Sequence, residues 1–217
     1  MKYRKKIKSA LKKEPSNIVF IAYLAILLRQ MKIELTRDVL RDLRLQQVPY
    51  PSTQYTTVQK AKWLELEDKV SRSISTSVDT FRNKVHVSLY YTNDTKYDII
   101  VGEILDAFAH TKGGTLRGFS GSILRLRDTW VRTGSSVNTQ FNYDNLKAKG
   151  YTVNKRWVYT YESKQYRDSH RAHDGVIADE DGYFTINGKK TLAPRLFGDP
   201  GEDYNCKCDI AITVDGH

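Results

Sequence analysis

The sequence holds two cysteines, Cys206 and Cys208, in a Cys-x-Cys spacing. A secreted scaffold stapled by disulfides needs more of them at wider spacing, so that class is excluded, and a reducing interior or a virion fits better. Prolines number five, and no low-complexity tract occurs, which argues against wholesale disorder. Long hydrophobic runs are missing too. The best candidate, Ile18 to Leu28, is eleven residues long, short of the ~20 needed to span a bilayer. Seven Lys/Arg and no acid precede it from Met1 to Lys13, which mimics a signal peptide's n- and h-regions. Arg29 and Lys32 follow at once and no small-residue cleavage site appears, so a buried helix or a subunit-contact helix is the better reading. Four glycines fall between Gly113 and Gly121, but the P-loop spacing and its closing Gly-Lys-Ser/Thr are absent, which leaves a hinge. No nucleophile motif and no internal repeat is visible.

What is present in excess is positive charge. The net is +10 and the sequence pI about 9.5, a balance that favours a polyanionic partner through counterion release, although it also suits a merely basic soluble protein. The surplus is uneven. Residues 1–111 carry 19 Lys/Arg against 12 Asp/Glu, residues 112–171 carry 12 against 4, and residues 172–217 carry 4 against 9. Nonspecific double-stranded DNA is the expected partner, met by the first two segments, and no membrane. Lys2, Arg4, Lys5, Lys6 and Lys8, with Lys155 and Arg156, are the expected phosphate contacts, carrying no sequence specificity.

Hydrophobic residues at 40% and charged residues at 28% allow a folded core. Ser16 or Asn17 can cap a helix over roughly 18–33, and Thr36 a second one with Val39, Leu40, Leu43 and Leu45 as apolar positions. Pro49 and Pro51 break it. A third helix starts near Thr56 or Thr57, with Val58, Ala61, Leu64, Val70 and Ile74 approximating its apolar period. Val85 to Tyr91 reads as helix or strand. Further helices are expected over 96–111 and 122–149, the last closed by Gly150. From Tyr151 the Thr, Val, Trp and Tyr content turns to strands and short turns. The fold class expected is α+β: a largely helical N-terminal half, residues 1–112, followed by a small compact domain with short strands, residues 113–217.

His170, His173, Cys206 and Cys208 are the candidate metal ligands. The two histidines lie three apart, on one face if that segment is a helical turn, and imidazole and thiolate are zinc's preferred donors. The alternative is a packing role, with the cysteines as small buried groups. Asp168, His170, Asp174 and Asp209 have the residue types of a hydrolytic centre, although Asp174-Gly175 more simply makes a turn. Trp157, Tyr159, Tyr161 and Tyr166, interleaved with Lys155, Arg156, Lys164 and Arg167, suit either base stacking or a strand with one face on the core.

Four fragments in order carry a resemblance. They are the Trp157-led strand, Arg167-Asp168-Ser169-His170 with Asp174-Gly175 after it, Gly198-Asp199-Pro200, and Asn205-Cys206-Lys207-Cys208. Over about residues 125–212 this resembles the Mu F-like head-morphogenesis domain of tailed-phage minor capsid proteins. The chain departs from that pattern at Gly134, where the family often has Glu, at Lys207, where it has Arg, and at His173, where an apolar residue is usual. The Arg167 and His170 positions are both Cys in some members, an interchange that a metal site permits. The resemblance implies a non-enzymatic minor head protein beside the portal protein and other head proteins. It would lie inside the virion, and in the host cytoplasm during assembly, and would aid packaging or ejection. The other classes open at this point are a stand-alone DNA-binding module and a metal-dependent hydrolase or toxin-related domain.

Overall fold

A computed structural model describes residues 17–50, 53–90, 119–160 and 167–215, with side chains of 17–23, 86–90 and 119–123 left aside. Helices α1 (Asn17–Arg44), α2 (Thr57–Tyr90) and α3 (Phe119–Ala148) make up the helical part. Strand β1 (Val153–Val158), short helix α4 (Asp168–Arg171), strands β2 (Phe184–Ile186) and β3 (Lys189–Thr191), short helix α5 (Pro200–Asp203) and strand β4 (Asp209–Val214) follow. The architecture is α+β, as the sequence implies.

Two details differ from the sequence reading. Thr36 caps nothing, because α1 runs through it unbroken. Neither Gly nor Pro lies between residues 17 and 48, and the buried positions Leu24, Leu27, Leu28, Met31, Val39 and Leu43 keep one helical stripe throughout. One Thr costs too little propensity to end such a helix. The second difference is the phase of α2. Val58 and Leu64 are exposed, and the buried stripe is Trp63, Leu66, Val70, Ile74, Val78, Phe81 and Val85. That stripe runs to Val85, and α2 itself continues to Tyr90, so the ambiguous 85–90 stretch is helix. Thr56 opens α2 through a capping box: its hydroxyl accepts from the Gln59 amide at 3.2 Å, and the Gln59 side chain accepts from the Thr56 amide at 3.0 Å.

The chain forms two compact units, one of residues 1–40 and 68–127, the other of residues 41–67 and 128–217. The expected boundary at 112/113, the 96–111 helix and most of the glycine-rich segment lie outside the described residues. In the first unit Leu24, Leu27, Leu28 and Met31 are buried, as are Ile74, Val78 and Phe81, while Ile26 is exposed. Over its described side chains the apolar Ile18–Leu28 run is therefore buried on one side, with Ile26 left exposed. No helix among the described residues is long and apolar enough to cross a membrane.

The second unit holds the site. Tyr55, Trp63 and Phe141 meet edge-on or tilted, with ring centroids 6.0–6.4 Å apart. Asn142 holds the loop before α2, donating to the Val48 carbonyl at 3.1 Å and accepting from the Tyr50 amide at 2.9 Å. Asn145 bridges the Gln54 carbonyl (3.2 Å) and the Gln59 amide group (3.0 Å). Gly134 is where α3 comes close to Leu43: a Cβ there would lie 2.5 Å from the Leu43 side chain. A Glu at this position requires the Leu43 side chain to shift.

Strands β1 and β4 pair antiparallel from Val153–Val214 to Val158–Asp209. The other edge of β1 is used by the 175–178 segment, where Trp157 donates to the Val176 carbonyl and Gly175 to the Trp157 carbonyl. The β2–β3 hairpin turns at Asn187-Gly188, both with positive φ (52° and 73°), the geometry that Asn-Gly supplies at least cost. Trp157, Tyr159, Phe184, Ile186, Cys206 and Cys208 form one buried cluster, with Phe197, Ala178 and Ile210 against it.

Candidate metal centre

The short helices exist to present two side chains. Asp199 caps α5, accepting from the Gly201 amide at 2.7 Å, and Pro200 sits in the first turn. Asp203 accepts from the amides of Phe197 (2.9 Å) and Asp199 (3.2 Å), closing the loop on itself. This aims buried Glu202 inward. Helix α4 does the same for His170, whose side chain is only 2% exposed. His170 Nε2 lies 2.8 Å from Glu202 Oε2, and Glu202 Oε1 accepts from Asn187 Nδ2 at 3.1 Å. A carboxylate fixes Nε2 as the protonated nitrogen, so Nδ1 presents its lone pair.

That lone pair faces sulfur. His170 Nδ1 is 3.5 Å from Cys206 Sγ and 3.7 Å from Cys208 Sγ. The ligand atoms of His170, Cys206 and Cys208 all lie within 4.8 Å of one another, and all three residues are buried. Neither cysteine is in a disulfide. Arg195 holds the Cys-x-Cys backbone, with Nη1 donating to the Cys206 carbonyl (2.9 Å) and the Cys208 carbonyl (2.6 Å). Its Nη2 donates to Ser136 Oγ (2.8 Å) and Asp209 Oδ1 (2.9 Å). Arg195 takes a positive φ of 67° to do so. Trp157 packs edge-on against His170 at 5.6 Å, and Phe197 stacks on it at 5.8 Å.

The electrostatics favour one anionic sulfur. A hydrogen bond from the Cys208 thiol, opposed by burial and aided by His170 and Arg195, holds Cys206 down to about 4. Cys208 moves up, because it keeps the proton it donates to Cys206 and is itself buried. Burial resists charge on His170, but the hydrogen bond and charge of Cys206, with Glu202, raise its pKa. Glu202 is held low, first by the Asn187 hydrogen bond, against burial, and then by His170.

Of the four residues read as ligands, three converge and His173 does not. Its two ring nitrogens lie on the carbonyl oxygens of Ser169 (2.8 Å) and Thr185 (2.9 Å), so it ties α4 to β2. The carboxylates read as a hydrolytic centre are dispersed. Asp168 is exposed at the start of α4, Asp174 accepts from the Tyr159 amide at 3.0 Å, and Asp209 pairs with Arg195. Lys155, read as a phosphate contact, is buried at 1% exposure. It is spent inside, donating to the Leu192 carbonyl at 2.7 Å and to Gln140, with its ammonium 4.6 Å from the Tyr143 ring. Arg156 is exposed on the same strand, while Lys2, Arg4, Lys5, Lys6 and Lys8 lie outside the described residues. Glu202, Arg195 and Asn187 were not singled out from sequence. For Glu202 a signal existed, since Asp-Pro two residues upstream marks a helix start and makes it a first-turn acid.

No protein-family model matches the chain, and no solved structure matches it. The chain is 39% identical over 93 residues to the NAD(+)--arginine ADP-ribosyltransferase EFV of Enterococcus faecalis (strain ATCC 700802 / V583). The match takes in 43% of this chain and spans 19% of that relative. This finding overturns the reading as a phage minor head protein, and the Mu F-like head-morphogenesis family with it. It likewise overturns the expectation of a non-enzymatic virion component, and of portal protein, head proteins and double-stranded DNA as partners. The physical reason lies in what the quoted fragments do. Asp174, Asp199 and Pro200 make caps and turns, and Trp157, Cys206 and Cys208 fill the core. Such residues specify a fold, and a fold does not specify an activity.

Proposed function

We propose that this chain is a toxin-related domain that serves the transfer of ADP-ribose from NAD+ to arginine. The observation that carries the reading is the 39% identity over 93 residues to an NAD(+)--arginine ADP-ribosyltransferase. The chain spans about a fifth of that relative's length, so the activity is inferred from a shared segment and not from the whole protein. In the reaction the glycosidic bond between nicotinamide and the ribose C1′ breaks, and a bond from C1′ to an arginine guanidino nitrogen forms. Nicotinamide leaves and the guanidinium gives up one proton. The substrates are then NAD+ and an arginine-bearing protein.

The test is direct. The purified chain is incubated with NAD+ carrying a label on its adenine half, and with polyarginine or agmatine as acceptor. Nicotinamide release and labelled acceptor are both expected, and polylysine should take up no label. A chain that gives neither nicotinamide nor labelled acceptor overturns the proposal.

A further inference from the structure

We infer that Cys206, Cys208 and His170 Nδ1 form a zinc site, with Glu202 as the partner that orients the histidine. The geometry carries this. Zinc binds thiolate at ~2.3 Å and imidazole at ~2.05 Å in tetrahedral arrangement, so a sulfur and a nitrogen sharing one ion stand about 3.6 Å apart. The two sulfur–nitrogen separations here are 3.5 and 3.7 Å. Both sulfurs sit at nearly equal distance from Nδ1. A common centre asks for that symmetry.

Three further features fit a metal more than a packing cluster. His170 gives its other nitrogen to a buried carboxylate, the arrangement that fixes tautomer and ring orientation in metal-ligating histidines. Glu202 is in turn held by Asn187. The indole N–H of Trp157 is buried with no hydrogen-bond partner among the described residues. Arg195 draws both cysteine carbonyls to one guanidinium nitrogen, which fixes the turn that brings the sulfurs together. Among the described residues the group offers three side-chain ligands. His173 is excluded because its nitrogens face carbonyl oxygens.

The inference is independent of the transferase reading, since a structural ion is bound whether or not ADP-ribose is transferred. The full chain is purified without chelator, and its zinc is measured by elemental analysis. About one zinc per chain is expected. Protein stripped of metal is then titrated with Co2+, which should give one equivalent and a thiolate-to-cobalt charge-transfer band. Cys206→Ser with Cys208→Ser should lose both. That double variant can also fail to fold, so Glu202→Gln is the companion. It keeps every ligand, and it should weaken Co2+ binding 10- to 100-fold while the far-ultraviolet circular dichroism stays unchanged. Wild-type protein with no zinc and no cobalt band overturns the inference, as does a folded double-serine variant that still binds one equivalent. Glu202→Gln with unchanged affinity overturns the role given to Glu202.

Discussion

Arg195 is the residue on which the C-terminal unit should be most vulnerable. Its side chain is 1% exposed, and four hydrogen bonds tie the cysteine turn to Ser136 on α3 and to Asp209 at the start of β4. Consider Arg195→Met, which keeps the length of the stem and leaves the positive φ as it is. The change orphans the buried Cys206 and Cys208 carbonyls, at roughly 1–3 kcal/mol each. Some of this is offset because a buried guanidinium no longer needs compensation. A net loss of about 3 kcal/mol remains, a large share of a typical 5–15 kcal/mol. All three tryptophans, Trp63, Trp130 and Trp157, belong to the same unit as Arg195, so their fluorescence reads its unfolding in urea. With a slope of ~1–3 kcal/mol per molar, the midpoint should fall by about 1–3 M. Arg132 is the control. It reaches the same Asp209 at 3.7 Å but is 25% exposed, so Arg132→Gln should cost under about 1 kcal/mol. If Arg195→Met lowers stability by less than Arg132→Gln does, the reasoning from orphaned carbonyls is wrong.

Other perturbations test other parts of the same unit. Burial holds Lys155 down to about 8, so between pH ~8 and ~10.5 the unfolded chain keeps a proton that the folded one has lost, and stability should rise with pH across that window; wild type minus Lys155→Met, in parallel urea series, should show the rise and a flat difference would refute it. Gly134→Ala drives a methyl toward Leu43, which is fully buried, and should cost about 1–3 kcal/mol by thermal melting unless Leu43 turns away freely. Asn142→Ala removes both bonds to the 48–50 loop and should cost about 1–3 kcal/mol and open that loop to limited proteolysis; wild-type protection would count against it.

The start of α2, the end of α3 and the break after it were legible because Gly and cap residues are local signals, whereas Thr36 has the type of a cap and lies inside α1. Thr56, Gly150 and Asp174-Gly175 all act where their chemistry puts them. What escaped was non-local. The phase of α2 depends on which side faces a core, and Val58 and Leu64 are apolar residues left outside. Lys155 is the sharper case. Its charge gives no hint of burial, because the Leu192 carbonyl, and Gln140 and the Tyr143 ring on α3, come from two other segments. At the site, residue type found His170, Cys206 and Cys208. Spacing alone favoured His173 as well, and only the backbone path shows that its nitrogens are already taken.

The same distinction explains how an ordered set of motifs can mislead about activity. Asp174 is needed because the Tyr159 amide requires an acceptor. Asp199 and Pro200 are needed because a four-residue helix that must present Glu202 has few other ways to start. Trp157 is needed to fill the space between His170, Phe184 and Phe197. Each residue answers a demand of the backbone or the core, and each demand recurs wherever this arrangement of short elements recurs. A chain that keeps the arrangement keeps the motifs, whatever reaction or partner its protein serves. Evidence about activity therefore has to come from atoms that the fold does not already consume.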